Sequence, residues 1–299
     1  MNPHQHSGVA LISAMLVVAL ATTAAVALTS ELQINMRRSA NMITRDQAWQ
    51  YLLGGEEFVK TLIKLAIDKN KLDELLGEER VLPVEGGTIT GIVTDLQAHL
   101  NINGLIAKKN IDTVIQAWLQ NLMNQLEIEP ARLDAIIDWM DENDELFSNN
   151  GAEDNYYFGL ENPYRTANHP FESPSELGLI RDMTAEDVEK LLPEITALPS
   201  NIKKINVNTA SDLMLTTIGV ENLDAVKENR PFKKLSDFTA LLQTNDQFKN
   251  AKDYLDIQTE YFLLKSTAKI GRARLRSYSI IHRDGKGMMR VISRSLGTL

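Results

Sequence analysis

The stretch VALISAMLVVALATTAAVALTS, Val9 to Ser30, carries no ionisable side chain. Twenty-two residues at the helical rise span about 33 Å, enough for the hydrocarbon core of a bilayer. A helix buried inside a soluble domain shows a polar stripe, and this one has none. A cleaved secretory signal is the other reading. Against it, the apolar run is too long, no Lys or Arg stands at its start, and Ala27, Thr29 and Ser30 make only a loose peptidase site. The stretch therefore reads as a membrane-spanning helix.

Working outward, the leader MNPHQHSG ends in Gly8, directly before the apolar run. Beyond Glu31 the helical pattern continues without proline through Arg37, Arg38, Trp49 and Tyr51 to about Lys71, with Gly54-Gly55 as a candidate break. One helix leaves the membrane and keeps going. This arrangement resembles the class III signal of type IV pilins and type II secretion pseudopilins, in which a prepilin peptidase cuts after the glycine and methylates the new N-terminus. The resemblance implies cleavage between Gly8 and Val9 and N-methylation of Val9. In most of that superfamily the fifth mature residue is Glu, whose charge needs a cationic partner inside the bilayer. Here it is Ser13, a departure shared by one branch, the minor pseudopilin K of type II secretion. The branch implies an inner-membrane, single-pass anchor with the C-terminal domain in the periplasm. Charge bias alone favours the opposite orientation, because Arg37, Arg38 and Arg45 follow the span while the leader has only its amine and two histidines. A dedicated leader and a large following domain override that bias.

The 299 residues are 43% hydrophobic and 24% charged, which is globular composition with room for about two domains. A net charge of -9 argues against a protein that coats nucleic acid. The absence of cysteine excludes disulfides, zinc-thiolate sites and thiol nucleophiles. After the first helix, VLPVEGGTITGIVTDLQAHLNING turns and alternates like strands. From Leu105 to Tyr254 the pattern is helical, in IDTVIQAWLQNLMNQL, PARLDAIIDWM, SPSELGLIRDM, TAEDVEKLLPEI, NTASDLMLTTI, ENLDAVKEN and KLSDFTALL. From about Gln258 the period returns to two, in YFLLKSTAKI, RARLRSYSIIH and MMRVISRSL, with DGKG as a hairpin turn. The expected fold class is α+β: a pilin-like long N-terminal helix packed on a small antiparallel sheet, with a large all-helical insertion. Ile270, Leu275, Tyr278, Ile280, Val291 and Ile292 are the expected apolar contacts between sheet and helix. The segments are a leader at 1–8, a transmembrane half-helix at 9–30 and a periplasmic helix with first strands at 31–104. The helical insertion at 105–254 and closing strands at 255–299 follow.

Three internal motifs carry chemistry. In DLQAHLNINGL, Asp95 to Leu105, the amides of Asn101 and Asn103 suit helix capping and local turns. Between Glu127 and Glu161 stand eleven acidic residues against Arg132 alone. Asp134, Asp138 and Asp141 share one helical face, Asp144 lies just past its end, and the loop NNGAED returns Glu153 and Asp154. A solvated charged face would look the same, and the pattern does not complete an EF-hand. Oxygen donors with no cysteine and only His169 nearby suit a hard cation, Ca²⁺ ahead of Mg²⁺. DWMDENDELFSNNGAEDNYYFGLENPYRTANHPFESPSEL resembles the calcium-binding region of the K branch, which implies a structural Ca²⁺. The expected ligands are Asp141, Asp144, Glu153 and Asp154, with Asp138 behind them.

The third motif, KINVNTASDLMLTTIGV, resembles the start of helix-hairpin-helix modules, some of which bind DNA backbones. The second glycine of such a hairpin is missing, and Lys203, Lys204 and Lys227 are diluted by Asp212, Glu221, Asp224 and Glu228. Packing is favoured, with Asn208 or Thr209 capping the next helix, and no nucleic acid is expected. No enzyme is expected either: the five histidines form no His-Glu-x-x-His, DGKG lacks a phosphate loop's spacing, and no Gly-x-Ser-x-Gly occurs. The basic tail from Lys265 to Arg294 suits an acidic partner surface or phospholipid, but alternate strand residues facing solvent explain it without a ligand. The resemblance implies a minor pseudopilin that forms the pseudopilus tip with the I and J pseudopilins and supports export across the outer membrane. A DNA-binding competence pseudopilin and a membrane-tethered enzyme are the rival classes.

Overall fold

In the computed structural model, residues 4–107, 109–241 and 251–297 are described. Residues 1–3 of the leader, Leu242 of KLSDFTALL and the last two residues of the closing segment lie outside them.

The uninterrupted apolar and helix-forming pattern produces one helix, α1 (His4–Asp68). It runs straight through Gly54-Gly55, where a break was a candidate. Two mid-helix glycines cost about 1 kcal/mol each, and packing on both sides of them offsets that cost. Ala48 and Leu52 are buried before them and Ile63 after them. The helix closes at Asp68 rather than Lys71. Asn70 takes a positive φ of 52°. Its N–H bonds the Ile67 carbonyl at 3.0 Å, and the Lys71 N–H bonds the Ala66 carbonyl at 2.8 Å, the bond pair of a Schellman stop.

Strands β1 (Arg80–Val84) and β2 (Gly87–Asp95) lead into the central domain. There the short strands β3 (Leu100–Asn101), β4 (Ile106–Ala107) and β5 (Asn110–Ile111) precede helices α2 (Thr113–Gln125), α3 (Arg132–Met140), α4 (Asp154–Tyr157) and α5 (Ala185–Leu191). β6 (Ile195–Thr196), β7 (Ile205–Asn206), α6 (Asp212–Thr217), α7 (Leu223–Asn229), α8 (Leu235–Thr239) and β8 (Leu255–Asp256) complete it. Two-residue pairings, β3 with β6, β4 with β5 and β7 with β8, thus tie the helices together. One hydrophobic core holds this domain, from Leu100 to Leu255.

β9 (Tyr261–Ile270), β10 (Ala273–Arg283) and β11 (Met289–Leu296) close a sheet of order β1-β2-β9-β10-β11. Asp284 shapes the DGKG turn by accepting from the Lys286 and Met288 amides at 2.9 and 2.8 Å. Gly87 is required at its position, because a Cβ there would lie 1.8 Å from the Lys269 carbonyl oxygen.

The two faces of the sheet have different partners. Against α1 lie Ile89, Ala268 and Ile270 around Ala48 and Leu52, then Val93, Phe262, Leu264 and Ile281 around Ile63. Tyr278 and Ile280 do not join them. They pack with Leu96, Leu198, Tyr261 and Leu263 on the opposite face, under the central domain. The reason is the strict period of two: Leu275, Ser277, Ser279 and Ile281 take the helix side, so the residues between them cannot. Ile292 is also exposed, at a register shift where Ile280 opposes Ser293 and Ile281 opposes Val291. The central domain therefore sits at the end of the sheet nearest the C-terminus of α1, farthest from the apolar half-helix.

Candidate functional site

Four constellations follow from this scaffold. On α1, every residue from Val9 to Ser30 is exposed, and the helix is long and apolar enough to cross a membrane. Gly8 and Val9 lie within it without a break. The Ser13 hydroxyl donates to the Val9 carbonyl at 2.7 Å, and Thr22 and Thr29 make the same bond one turn back at 2.7 and 2.8 Å. A hydroxyl satisfied by its own helix needs no partner in hydrocarbon, unlike a carboxylate at the same place.

Between α1 and the sheet lies an ion pair that the sequence pattern did not reveal. Glu56 is 2% exposed and takes the Arg294 guanidinium in two bonds of 2.7 and 2.5 Å and the Ser279 hydroxyl at 2.6 Å. Burial pushes its pKa upward, but these donors outweigh it and hold the carboxyl below its ordinary value. The last strand is thereby locked to the helix.

At the junction of sheet and central domain, Asp95 is fully enclosed. It accepts from the Gln97 amide (2.8 Å), the Asn206 side-chain amide (2.8 Å) and the hydroxyls of Thr209 and Thr259 (2.6 Å each). Burial raises its pKa against those bonds. Beside it, the Asn101 side chain caps its own turn and bonds Leu198, Pro199 and Ile202. The Asn103 side chain joins Phe171 in both directions and donates to Leu198. The expected local turn is thus also a long-range clamp.

The acidic region is held at both ends. From α3, Asp134 accepts from Ser148 and Asn150, and Asp138 accepts from the Phe147 amide at 2.8 Å. From the other side, Arg181 donates to the Gly151 carbonyl at 2.9 Å. Gly151 must be glycine, because a Cβ would fall 1.9 Å from Asp138 Oδ2. Asp138 is 0% and Glu153 4% exposed. Asp138 Oδ2 and both Glu153 carboxylate oxygens are buried with no hydrogen-bond donor. Burial, then the charges of Asp138, Asp141, Asp144 and Asp154, push the Glu153 pKa up to about 8. Burial likewise raises Asp138 and Asp141.

The structure therefore brings Asp138, Asp141, Asp144 and Asp154 within the field of Glu153, but assigns them different tasks. Asp154 is largely used, accepting from Thr166 twice at 3.0 Å. Asp141 caps the Asn143 amide, and Asp144 is exposed. Asp138, expected behind the others, and Glu153 are the pair with free buried oxygens. Among the described residues no three acidic or histidine side chains close on one point, so side chains alone do not form a cage. Hard oxygens, buried and lacking donors, still fit a cation that draws further ligands from carbonyls and water.

A family model described as "Type II secretion system (T2SS), protein K" matches residues 98–200, the stretch that holds both clamping asparagines and the acidic loop. The type II secretion system protein K of Aeromonas hydrophila is 31% identical over 317 aligned positions, covering 95% of this chain and 96% of the relative. The chain belongs to the type II secretion system protein K family. The protein K of Pseudomonas aeruginosa is 32% identical, covering 97% of this chain and 93% of that one. The fold also matches a chain in the crystal structure of the GspK-GspI-GspJ complex of enterotoxigenic Escherichia coli, with a TM-score of 0.79 and 23% identity, over 88% of this chain and all of that one.

As a protein K the chain is a type II secretion minor pseudopilin, and the motif that resembled a DNA-binding hairpin is a packing element. The lysine in it and the two flanking it each face an acid: Lys203 with Asp112 (2.5 Å), Lys204 with Asp256 (3.1 Å) and Lys227 with Asp212 (2.6 Å). The helix after the motif is capped by Ser211, not by Asn208 or Thr209. Asn208 is occupied in a clamp to Phe232 and Ile257, and Thr209 bonds Asp95. The Ser in the cap position falls directly before Asp212, and NTAS offered three capping side chains in four residues.

Proposed function

We propose that this chain is the subunit that begins the pseudopilus, standing at its tip with the I and J pseudopilins and supporting protein export across the outer membrane. The observation that carries the reading is the placement of the central domain at the end of the sheet farthest from the apolar half-helix. In a bundle of parallel helices, such a mass closes the end away from the membrane and obstructs another subunit above it, so later subunits join below. Ser13 fits the same place, since a subunit with no neighbour above has no amino terminus to neutralise. The relative whose printed title names a GspK-GspI-GspJ complex supports the choice of partners.

The N-terminus is then made by a prepilin peptidase that cuts after Gly8 and methylates Val9, with the anchor in the inner membrane and the sheet and central domain in the periplasm. Mass spectrometry of the membrane-extracted chain tests this: a methylated Val9 at the N-terminus is expected, and an intact Met1 overturns it.

A structural Ca²⁺ belongs to the same reading. Glu153 and Asp138 supply the buried oxygens, Asp141 and Asp144 the loop's further charge, and Asp154 a side of the site already steadied by Thr166. The ion would supply the positive charge that these carboxylates lack, and so fasten the loop to α3.

A further inference from the structure

The basic residues of the closing strands are not spread evenly. Pairing in β9 and β10 places Lys265, Thr267 and Lys269 opposite Tyr278, Arg276 and Arg274 on the face turned away from α1. Lys265, Lys269, Arg274 and Arg276 are all exposed, and Arg272 projects from the turn between the strands. Across β2 the same face carries Thr88, Thr90 and Ile92. Among the described residues none of the five cations has an acidic partner within ion-pair distance. Lys269 and Arg274 stand directly opposite each other, and like charges in that relation destabilise a sheet. A fold that keeps such a pair without a balancing carboxylate is complementary to one supplied from outside.

The geometry points to this half-sheet as a docking surface for a carboxylate-rich protein face, borne by a neighbouring subunit anchored in the same membrane. The inference rests on the assembly reading above and names the chemistry of one contact in it. Adjacent strands set the cations about 4.8 Å apart and alternate residues about 6.8 Å apart. Arginine suits paired carboxylate oxygens, as Arg294 shows within this sheet. The turn after β9 lies level with Thr44, whose methyl is 4.0 Å from the Cβ position of Gly271. Thr44 is fourteen residues past Ser30 on an unbroken helix, about 21 Å beyond the span, more than two Debye lengths from lipid headgroups at physiological salt. A second parallel copy does not fit either, because the chain's own acidic region belongs to the central domain at the other end of the sheet.

The test uses the full chain in membranes of cells carrying the whole secretion system. A water-soluble carbodiimide joins a lysine amine to a carboxylate only where the two touch. An amide from Lys265 or Lys269 to an Asp or Glu of a co-recovered subunit is expected, and it should vanish in the K265R/K269R variant, which keeps the charge. The K269E/R274E/R276E variant, changed only at exposed positions, should recover that subunit about tenfold less well. If the other pseudopilins are recovered but no amide joins them to this face, or if the reversal changes nothing, the inference is overturned while the assembly reading stands. If none is recovered with the parent chain, the assembly reading falls and takes this inference with it.

Discussion

Two buried carboxylates, Asp95 at the domain junction and Glu153 in the acidic loop, are 3% and 4% exposed and have pKa values raised first of all by burial. Their surroundings are opposite. Asp95 receives four donors, all from neutral groups. Glu153 receives none and is ringed by Asp138, Asp141, Asp144 and Asp154. Burying a charge is costly unless it is paired or hydrogen-bonded. The first group is completed by the fold itself, and the second requires a proton or a cation.

The largest effect that would sharpen this contrast is expected at the junction. Asp95→Ala leaves the Asn206 side-chain amide and the Gln97 N–H without their acceptor in a dry site, and leaves the Thr209 and Thr259 hydroxyls only longer bonds, to Asn206 at 3.4 Å and to Gln97 and Tyr261 at 3.2 and 3.3 Å. It should cost about 3–5 kcal/mol of stability in urea unfolding, equally with calcium and with chelator. A loss below about 1 kcal/mol would show that water replaces the carboxylate and that the junction is not a dry clamp.

The loop should respond in the reverse way. Calcium at about a hundred times its dissociation constant should stabilise the chain by about 2.7 kcal/mol, and chelator should remove that gain. Glu153→Gln should abolish most of the calcium response yet melt higher than the parent in chelator, because it removes a buried carboxyl that without the cation must take up a proton to stay in the fold. A transition unchanged by chelator would take the cation out of the account.

The pH dependence gives a smaller but signed test. In chelator the folded state holds the Glu153 proton up to about pH 8, against an ordinary value of 4.5. The folded chain therefore binds more protons than the unfolded one in this window, and its stability falls as pH rises from about 5 to 8. One proton gives a slope of about 1.4 kcal/mol per pH interval. Glu153→Gln should remove that part of the slope, leaving the contributions of the other raised carboxyls, Asp95, Asp138 and Asp141 among them. Equal slopes in parent and variant would break the contrast between the two carboxylates.

What the sequence disclosed follows the same division between local and distant causes. The first helix, the hairpins and the central helices were legible because apolar period, turn residues and caps are local signals. Thr184 and Asp187, for example, form the reciprocal cap before α5. Glu56 and Arg294 were not legible, since 238 residues separate them and each alone looks like a surface charge. Tyr278 and Ile280 lie on the face opposite to the one their apolar character suggests, because alternation with Ser277 and Ser279 hides which side is apolar when a buried salt bridge occupies the helix side. The acidic loop was legible as charge, but the ranking within it was not. Exposure, set by α3 and Gly151, makes Asp138 a more deeply buried donor than Asp144.

The smallest expected effect concerns a third carboxylate, Asp112, which completes the comparison by meeting a cation from its own chain. It accepts from Lys203 at 2.5 Å, the Tyr254 hydroxyl at 2.7 Å and the Val114 and Ile115 amides at 3.1 and 3.2 Å. Burial raises its pKa, but these donors outweigh it and leave the carboxyl below its ordinary value. Lys203→Met keeps three of the four donors and should cost about 1 kcal/mol at pH 7. A depressed carboxyl stabilises the fold above its unfolded pKa and loses that effect as pH falls through the folded value, so parent and variant should converge in acid. In gel-shift assays at moderate salt neither should retain DNA, because the lysine is already spent on Asp112. Retention by the parent that Lys203→Met removes would mean that phosphate outcompetes Asp112, and the nucleic-acid reading would then replace the packing role of this motif.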